Sequence, residues 1–300
     1  MKIKATRRKE NLAGWFLAVP LLCSVCVFIL YPIVYSTVLS LTDVKYVVGS
    51  QLNFIGFKNY AMLFTSYAKT YFGALWLSVR FSLLTTAIQT LLGLVVAYAL
   101  YDMNKTVQGI LRVLVYMPAI LPGTVISVMW QFIFVPNVGL LDKLFALCGN
   151  TNPPQWLGSE HWLFASIVFV NTWRFLGTTV IIYLMNMNTI DKSVLESAKL
   201  DGASKVQTLW HFILPLTFSA TKINIMLSLL GGIKSFDLFY LLGNGKEGSR
   251  VVGYIIFQTA FGMQTNLSLA TAMSVVLTLI LGVLMFLVNY FMGKRSEKYD

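Results

Sequence analysis

Six apolar stretches divide this 300-residue chain, over 15–41, 71–101, 110–134, 162–185, 217–242 and 267–292. Each is long enough to be a helix across the roughly 30 Å hydrocarbon layer of a bilayer. Between them lie polar, turn-rich segments, over 42–70 with a short helix expected at 59–64, over 102–108, from Pro136-Asn137 to Pro153-Pro154 and beyond, over 191–216 and over 243–266. The pattern predicts an all-α polytopic membrane protein with six transmembrane helices and a single transmembrane domain over 1–300, its core spans at 71–292. Tyr31-Pro32 predicts a loosened first span, because Pro removes a backbone donor. Pro118 and Pro122 fall inside the third span and free carbonyls that neighbouring helices or water must satisfy.

One polar stretch does not read as a plain connection. From Leu195 to Leu216 the chain looks helical, breaks at Gly202, and looks helical again as far as Pro215. Val194, Leu195, Ala198 and Leu200 supply an apolar side, and Glu196, Lys199 and Asp201 a charged one. Ala198, Gly202, Ala203 and Ser204 are small enough for another backbone to come close. Gly202 suits the left-handed conformation that ends a helix, and Pro215 suits the first turn of a following span. Two readings fit these residues: an amphipathic helix lying on the bilayer surface, or a docking element for a partner protein.

Composition narrows the class. The chain is 57% hydrophobic and 12% charged, where soluble domains carry about 25% charged residues, so it is solvated by lipid along much of its length. The net charge of +11 is then a matter of topology rather than of nucleic acid. With both termini on the inner side, Lys2, Lys4, Arg7, Arg8 and Lys9 of the 1–13 segment, the basic residues of the loop at 191–216 and those of the tail all lie inside. Fewer basic residues, Lys45, Lys58, Lys69, Lys143, Lys246 and Arg250, lie outside, which places the loop at 191–216 in the cytoplasm. The first stretch is too long for a signal-peptide core, so it is expected to stay as a span.

Cys23 and Cys26 form a C-x-x-C inside an apolar run, where redox or metal chemistry has no electropositive turn to use; they read as two small residues on one helix face. Cys148 reads as a free thiol near the outer surface. His161 and His211 are the only histidines, and no metal site and no catalytic set are expected. Gly243-Asn244-Gly245-Lys246 lacks the spacing of a phosphate loop. The halves show no internal repeat of the kind secondary carriers carry.

Charges within spans are expensive and are kept for function or for pairing. Arg174 falls near the middle of the fourth span, Lys234 and Asp237 lie three apart in the fifth, and Arg80 sits in the outer half of the second. As a solute path these would join Asn171, Trp173, Asn224, Phe236 and Tyr240, planar polar groups and aromatic faces of the kind that hold sugars. As structure, Lys234 and Asp237 would pair with each other, and Arg80 and Lys222 would snorkel.

Glu196-Ser197-Ala198, three residues, Gly202, and Leu214-Pro215 at the end resemble the coupling motif of binding-protein-dependent ABC importer permeases, in which Glu-Ala-Ala and Gly precede an Ile-x-Leu-Pro. Asp201-Gly202-Ala203 is typical of it. Ser197 stands for an Ala and Phe212 for the Ile, both mild changes. Leu30-Tyr31-Pro32, Ser40-Leu41-Thr42-Asp43, Phe57-Lys58-Asn59-Tyr60, Pro136-Asn137-Val138-Gly139 and Ser235-Phe236-Asp237 extend the resemblance over nearly the whole chain, towards the first permease of maltose-type carbohydrate importers. The Thr-x-Gly-Gly-Pro-like outer turn of the family is here Leu242-Gly243-Asn244-Gly245-Lys246, without the Pro. The resemblance implies a type I ABC importer permease fold in the cell membrane. It also implies a complex with a second permease, two ATPase subunits that bind ATP and Mg, and an extracellular solute-binding protein. Glu196 would pair with a basic residue of an ATPase groove, Leu195 and Ala198 would pack, Gly202 would set the turn, and Ser197, Asp201, Ala203, Leu214 and Pro215 complete the motif. The implied cargo is a sugar or oligosaccharide. A glycerophosphate or polyamine is the alternative cargo, and an ion-coupled carrier the alternative mechanism.

Overall fold

A computed structural model of the protein describes residues 15–16, 18–46, 52–150, 152–263 and 265–296. The basic segment expected at 1–13 and the end of the charged tail lie outside the described residues. Among those described there is no strand beyond one isolated bridge between Thr42 and Phe54. The chain groups into two compact units, Met1–Ala68 with Ile256–Leu279, and Lys69–Ile255 with Ile280–Asp300.

In the first unit, helix α1 (Ala18–Leu39) exposes its apolar side chains almost throughout. Its middle widens into a π-helical turn over Cys26–Leu30, in which the Tyr31 N–H reaches back to the Cys26 carbonyl. This is the loosening expected of Pro32, which cannot donate to the preceding turn. Cys23 and Cys26 are free and exposed on α1. From the first turn of α2 (Lys58–Phe64), Asn59 donates to the carbonyls of Ser40 and Thr42 at 2.8 Å each. Ser268 ties the start of the last helix to the same stretch through Thr42 and the Val44 N–H.

The second unit holds α3 (Ala68–Tyr101), α4 (Lys105–Ile120), α5 (Gly123–Ile133), α6 (Leu140–Leu147), α7 (Glu160–Met187), α8 (Lys192–Leu200), α9 (Lys205–Leu216) and α10 (Phe218–Ile233). The chain continues into α11 (Val252–Phe261) and α12 (Leu267–Ser296), whose residues divide between the two units. Among the described residues four helices, α1, α3, α7 and α12, are long and apolar enough to cross a membrane singly; two bent pairs, α4 with α5 and α9 with α10, bring the number to six if each pair is one span.

The bends correct the expected third and fifth spans. Helices α4 and α5 meet at 98°. Pro122 excludes Leu121 from helical geometry, and Leu121 is extended, with φ −71° and ψ 138°. Helices α9 and α10 meet at 77°. Pro215 does not open the span as expected: it lies in the last turn of α9, behind a π-helical turn over Thr208–Ile213, and the bend falls at Thr217. The fifth span also stops early, at Ile233, so Lys234 and Asp237 do not share one helix and their expected pair does not form. Two helices stand where plain outer loops were expected, α6 and α11. Asp142 anchors α6 by accepting from the Asn137 N–H and the Trp156 indole, both at 2.7 Å.

Glycines set how closely the helices cross. A Cβ on Gly177 would strike the backbone of Val115 and Tyr116, one on Gly232 the backbone and side chain of Ser82, and one on Gly93 the side chain of Thr179. Close backbone approach of this kind replaces the hydrophobic force that lipid-solvated helices lack. Ser82 adds a hydrogen bond to the Leu229 carbonyl at 2.8 Å. Two apolar clusters result: one centred on Phe81, Ile126, Trp130, Ile167 and Phe239, the other on Leu94, Val180, Tyr183, Met187 and Ile213.

Candidate functional site

The loop at 191–216 is a built element rather than a tether. Asp191 caps α8 by accepting from the Ser193 N–H at 3.0 Å, a bond that holds its carboxyl below the usual range. At the other end Gly202 has φ +82°. The Gly202 N–H reaches the Lys199 carbonyl at 3.1 Å and the Ala203 N–H the Ala198 carbonyl at 3.0 Å, the paired bonds of a Schellman stop. Ser204 starts α9 at once, in a reciprocal capping box with Gln207. Lys205 then pairs with Asp102, in the turn between α3 and α4, at 2.8 Å, and this bond lowers the Asp102 carboxyl from its ordinary value. The pair is exposed and so contributes little stability; its geometric effect is to tie the loop to the neighbouring turn. An Ala at Ser204 removes one side of the capping box and is expected to destabilise the turn by about 1 kcal/mol, read as faster amide exchange confined to 202–208.

The residues of this element divide into two faces. Leu195 and Ala198 are buried, and Leu195 packs into the cluster of Leu94, Tyr183 and Met187. Both are covered by this chain's own residues. Glu196, Ser197, Asp201 and Gly202 are exposed, and Ala203, Leu214 and Pro215 half-buried. Leu200 is 89% exposed. Grouping it with Leu195 and Ala198 was an error of phase: five positions on, a helix has turned roughly 140° from Leu195. A polar face carrying one bare leucine is what a docking surface needs.

The second feature is a cavity of about 240 Å³ between α3, α7 and α10, lined by Gln89, Asn171, Phe175, Thr178, Thr179, Asn224, Leu227, Ser228, Gly231 and Gly232. Every one of these side chains is uncharged. Gln89 donates to the Asn171 carbonyl at 3.2 Å and Asn224 to the Thr179 carbonyl at 3.4 Å, so two amide planes are fixed at the wall. Asn171, Phe175 and Thr178 share one spacing with Asn224, Ser228 and Gly231, four residues and then three, which puts each trio on one helix face.

Of the path residues expected from the sequence, Asn171 and Asn224 line this cavity. Arg174 lies beside it, with its guanidinium over the Phe175 ring at 4.8 Å, and pairs with Asp237 at 2.8 Å. Trp173 packs against Trp130 at 5.5 Å between ring centres, Phe236 against Tyr240 at 5.2 Å, and Lys234 is exposed; none of these four lines the cavity. Arg80 stacks over Phe164. Gln89, Thr178 and Ser228 were not foreseen: none carries a charge that marks it as costly in a span, although the spacing that joins Thr178 to Asn171 and Ser228 to Asn224 is legible in the sequence. Among the described residues no three His, Cys, Asp or Glu come together as metal ligands would.

Bent apolar spans around an uncharged cavity, joined to a capped helix pair, are the architecture of a polytopic membrane protein. A family model described as binding-protein-dependent transport system inner membrane component matches residues 89–298, and the chain belongs to that family. It is 26% identical over 294 residues to the lactose transport system permease protein LacF of Rhizobium radiobacter, covering 97% of each chain. It is also 26% identical over 291 residues to the trehalose/maltose transport system permease protein MalF of Thermococcus litoralis, covering 97% of this chain and 96% of that one. A bacterial ABC transporter that imports the acidic polysaccharide alginate contains a chain of the same fold, with a TM-score of 0.81 at 18% identity over 96% of this chain and 98% of that one. The same fold occurs in that transporter's complex with an alginate pentasaccharide-bound periplasmic protein, covering 95% of each chain.

Proposed function

We propose that this chain is the transmembrane permease subunit of an ATP-driven importer for a sugar or oligosaccharide, with both termini in the cytoplasm. The observation that carries the proposal is continuity: α8 and α9 form one capped unit, α9 runs through the Thr217 bend into α10, and α10 forms one wall of the neutral polar cavity. A push on the exposed face of α8 has a short, packed route to the cavity. In this reading separate ATPase subunits bind ATP and Mg and close on Glu196 and Leu200. A second permease completes the passage, and an extracellular binding protein delivers the solute. Closure moves α8 and α9 as a body, as rigid packed elements do, and turns the cavity from inward-open to outward-open. Gln89, Asn171, Asn224 and Ser228 offer hydroxyl groups the hydrogen bonds they lose with water, and Phe175 offers a ring face.

The proposal is tested by gentle purification of the chain from its native membrane with identification of what comes with it. An ATPase, a second permease and a binding protein are expected; recovery of the chain alone, under conditions that keep other importers whole, removes the reading. Two substitutions sharpen it. Leu200→Asp withholds a leucine side chain from the partner, about 2 kcal/mol of burial, and is expected to lower ATPase retention roughly thirtyfold. Gln89→Leu removes an amide from the wall together with its hydrogen bond to the Asn171 carbonyl, worth about 0.5–1.5 kcal/mol, and is expected to lower sugar uptake by up to about tenfold without loss of the complex.

A further inference from the structure

The charge arrangement beside the cavity points to its selectivity. Asn171, Arg174, Phe175 and Thr178 fall on one face of α7 at helical spacing, so Arg174 borders the cavity that the other three line. A guanidinium in a low-dielectric passage is a strong receptor for a carboxylate, which it holds through parallel hydrogen bonds. Here that position is already taken. Asp237, at the start of the helical segment that follows α10, accepts from Arg174 Nη1 at 2.8 Å; the Arg174 side chain is 14% and the Asp237 side chain 38% exposed, and Arg174 Nε is buried without a hydrogen-bond partner. The same carboxylate lies against Gly123, the first residue of α5, so closely that a Cβ there would collide with it. The positive end of α5 therefore adds to the hold of Arg174. A carboxylate held from two sides is not readily displaced by one arriving on a substrate.

We infer that Asp237 sets the charge selectivity of the passage: by occupying the Arg174 guanidinium it keeps the cavity electroneutral and restricts cargo to uncharged saccharides, excluding uronic-acid oligosaccharides, an inference that rests on the sugar-importer reading above. The amides and hydroxyls of the wall replace water around a hydroxyl-bearing ring. They do not offset the loss of hydration of a carboxylate, which needs an unspoken-for cation.

The test is saturation-transfer NMR on the permease–ATPase complex in lipid nanodiscs, without binding protein. The neutral probes are maltotriose, cellotriose and raffinose, and the acidic probe is trigalacturonate. In the native complex at least one neutral probe is expected to bind at least about tenfold better than the acid. In Asp237→Asn the freed guanidinium is expected to raise trigalacturonate binding about tenfold relative to the neutral probe. The double variant Arg174→Gln/Asp237→Asn is expected to reverse that gain while neutral binding persists. Should Asp237→Asn fail to assemble, Arg174→Gln leaves the carboxylate unmasked and is expected to favour a cationic glucosamine trisaccharide. Equal binding of neutral and acidic probes by the native complex overturns the inference, as does an unchanged ratio in a well-assembled Asp237→Asn. Absence of any saccharide signal from an intact permease–ATPase complex is a different result, which overturns the sugar reading and the inference with it.

Discussion

Gly202→Pro is expected to abolish ATP-driven uptake while leaving the protein in the membrane. Gly202 has φ +82° and its N–H donates to the Lys199 carbonyl. Proline is confined to φ near −65° and has no N–H to give, so both the turn and the bond that closes it are lost. The α8 stop and the Ser204 cap then no longer meet in register, and α8 is uncoupled from α9. Space is not the reason, because a Cβ at Gly202 would meet nothing within 4 Å. Gly202→Ala therefore isolates the conformational term: the left-handed backbone costs an alanine about 1–2 kcal/mol, and uptake is expected to fall severalfold rather than vanish. Uptake in vesicles, read beside ATP hydrolysis and the elution profile of the complex, separates these outcomes. Normal uptake by a folded Gly202→Pro protein would remove the lever.

How much of this was legible in the sequence depends on what kind of force places each residue. The single-helix spans are set by the apolar run itself, and α3, α7 and α12 begin and end within a few residues of the runs that foretold them. The helix stop at Gly202 was legible because only local backbone chemistry is involved. The bends were half legible: Pro122 and Pro215 announce a disturbance, but whether the chain kinks, shifts to a π turn or turns through 98° depends on what the neighbours allow. Pro122 breaks the helix outright, whereas Pro215 is absorbed by the π turn before it and the bend moves on to Thr217. Helix α6 was missed because its apolar positions, Leu140, Leu141, Leu144 and Leu147, lie between Pro136-Asn137 and Pro153-Pro154, which read as loop.

The Arg174–Asp237 pair was out of reach for a different reason. Each charge was visible as costly in a span, but sequence proximity offered Lys234 as the partner of Asp237. Only the early end of α10 at Ile233 sends the carboxylate to α7 instead. The cavity stands between these cases. Asn171 and Asn224 were found as polar residues in spans, and the wall they share with Gln89 needed the packing of three helices to appear.

That packing makes Gly177 the position where one substitution should cost the most stability. Gly177→Val is expected to prevent assembly of a stable permease. A side chain at Gly177 meets the main chain of Val115 and Tyr116 on α4, not the end of a flexible side chain. A backbone inside a helix cannot give way without moving its whole element, so the cost exceeds the about 1–3 kcal/mol of ordinary overpacking. Parting α4 from α7 also removes dispersion contacts along both helices, and lipid offers no hydrophobic force to close the gap. Phe175 and Thr178, two positions before it and one after on the same helix, line the cavity, so displacing α7 is expected to cost any surviving protein its uptake as well. Gly109→Ala is the matched control: it lies on α4, nothing stands within 4 Å of its Cβ, and exchanging glycine for alanine in a helix is expected to be neutral or stabilising by up to about 1 kcal/mol. Fluorescence-detected gel filtration of the two variants after a temperature series gives the answer. A Gly177→Val protein that elutes and melts like the native chain would show that α4 and α7 do not cross at backbone contact.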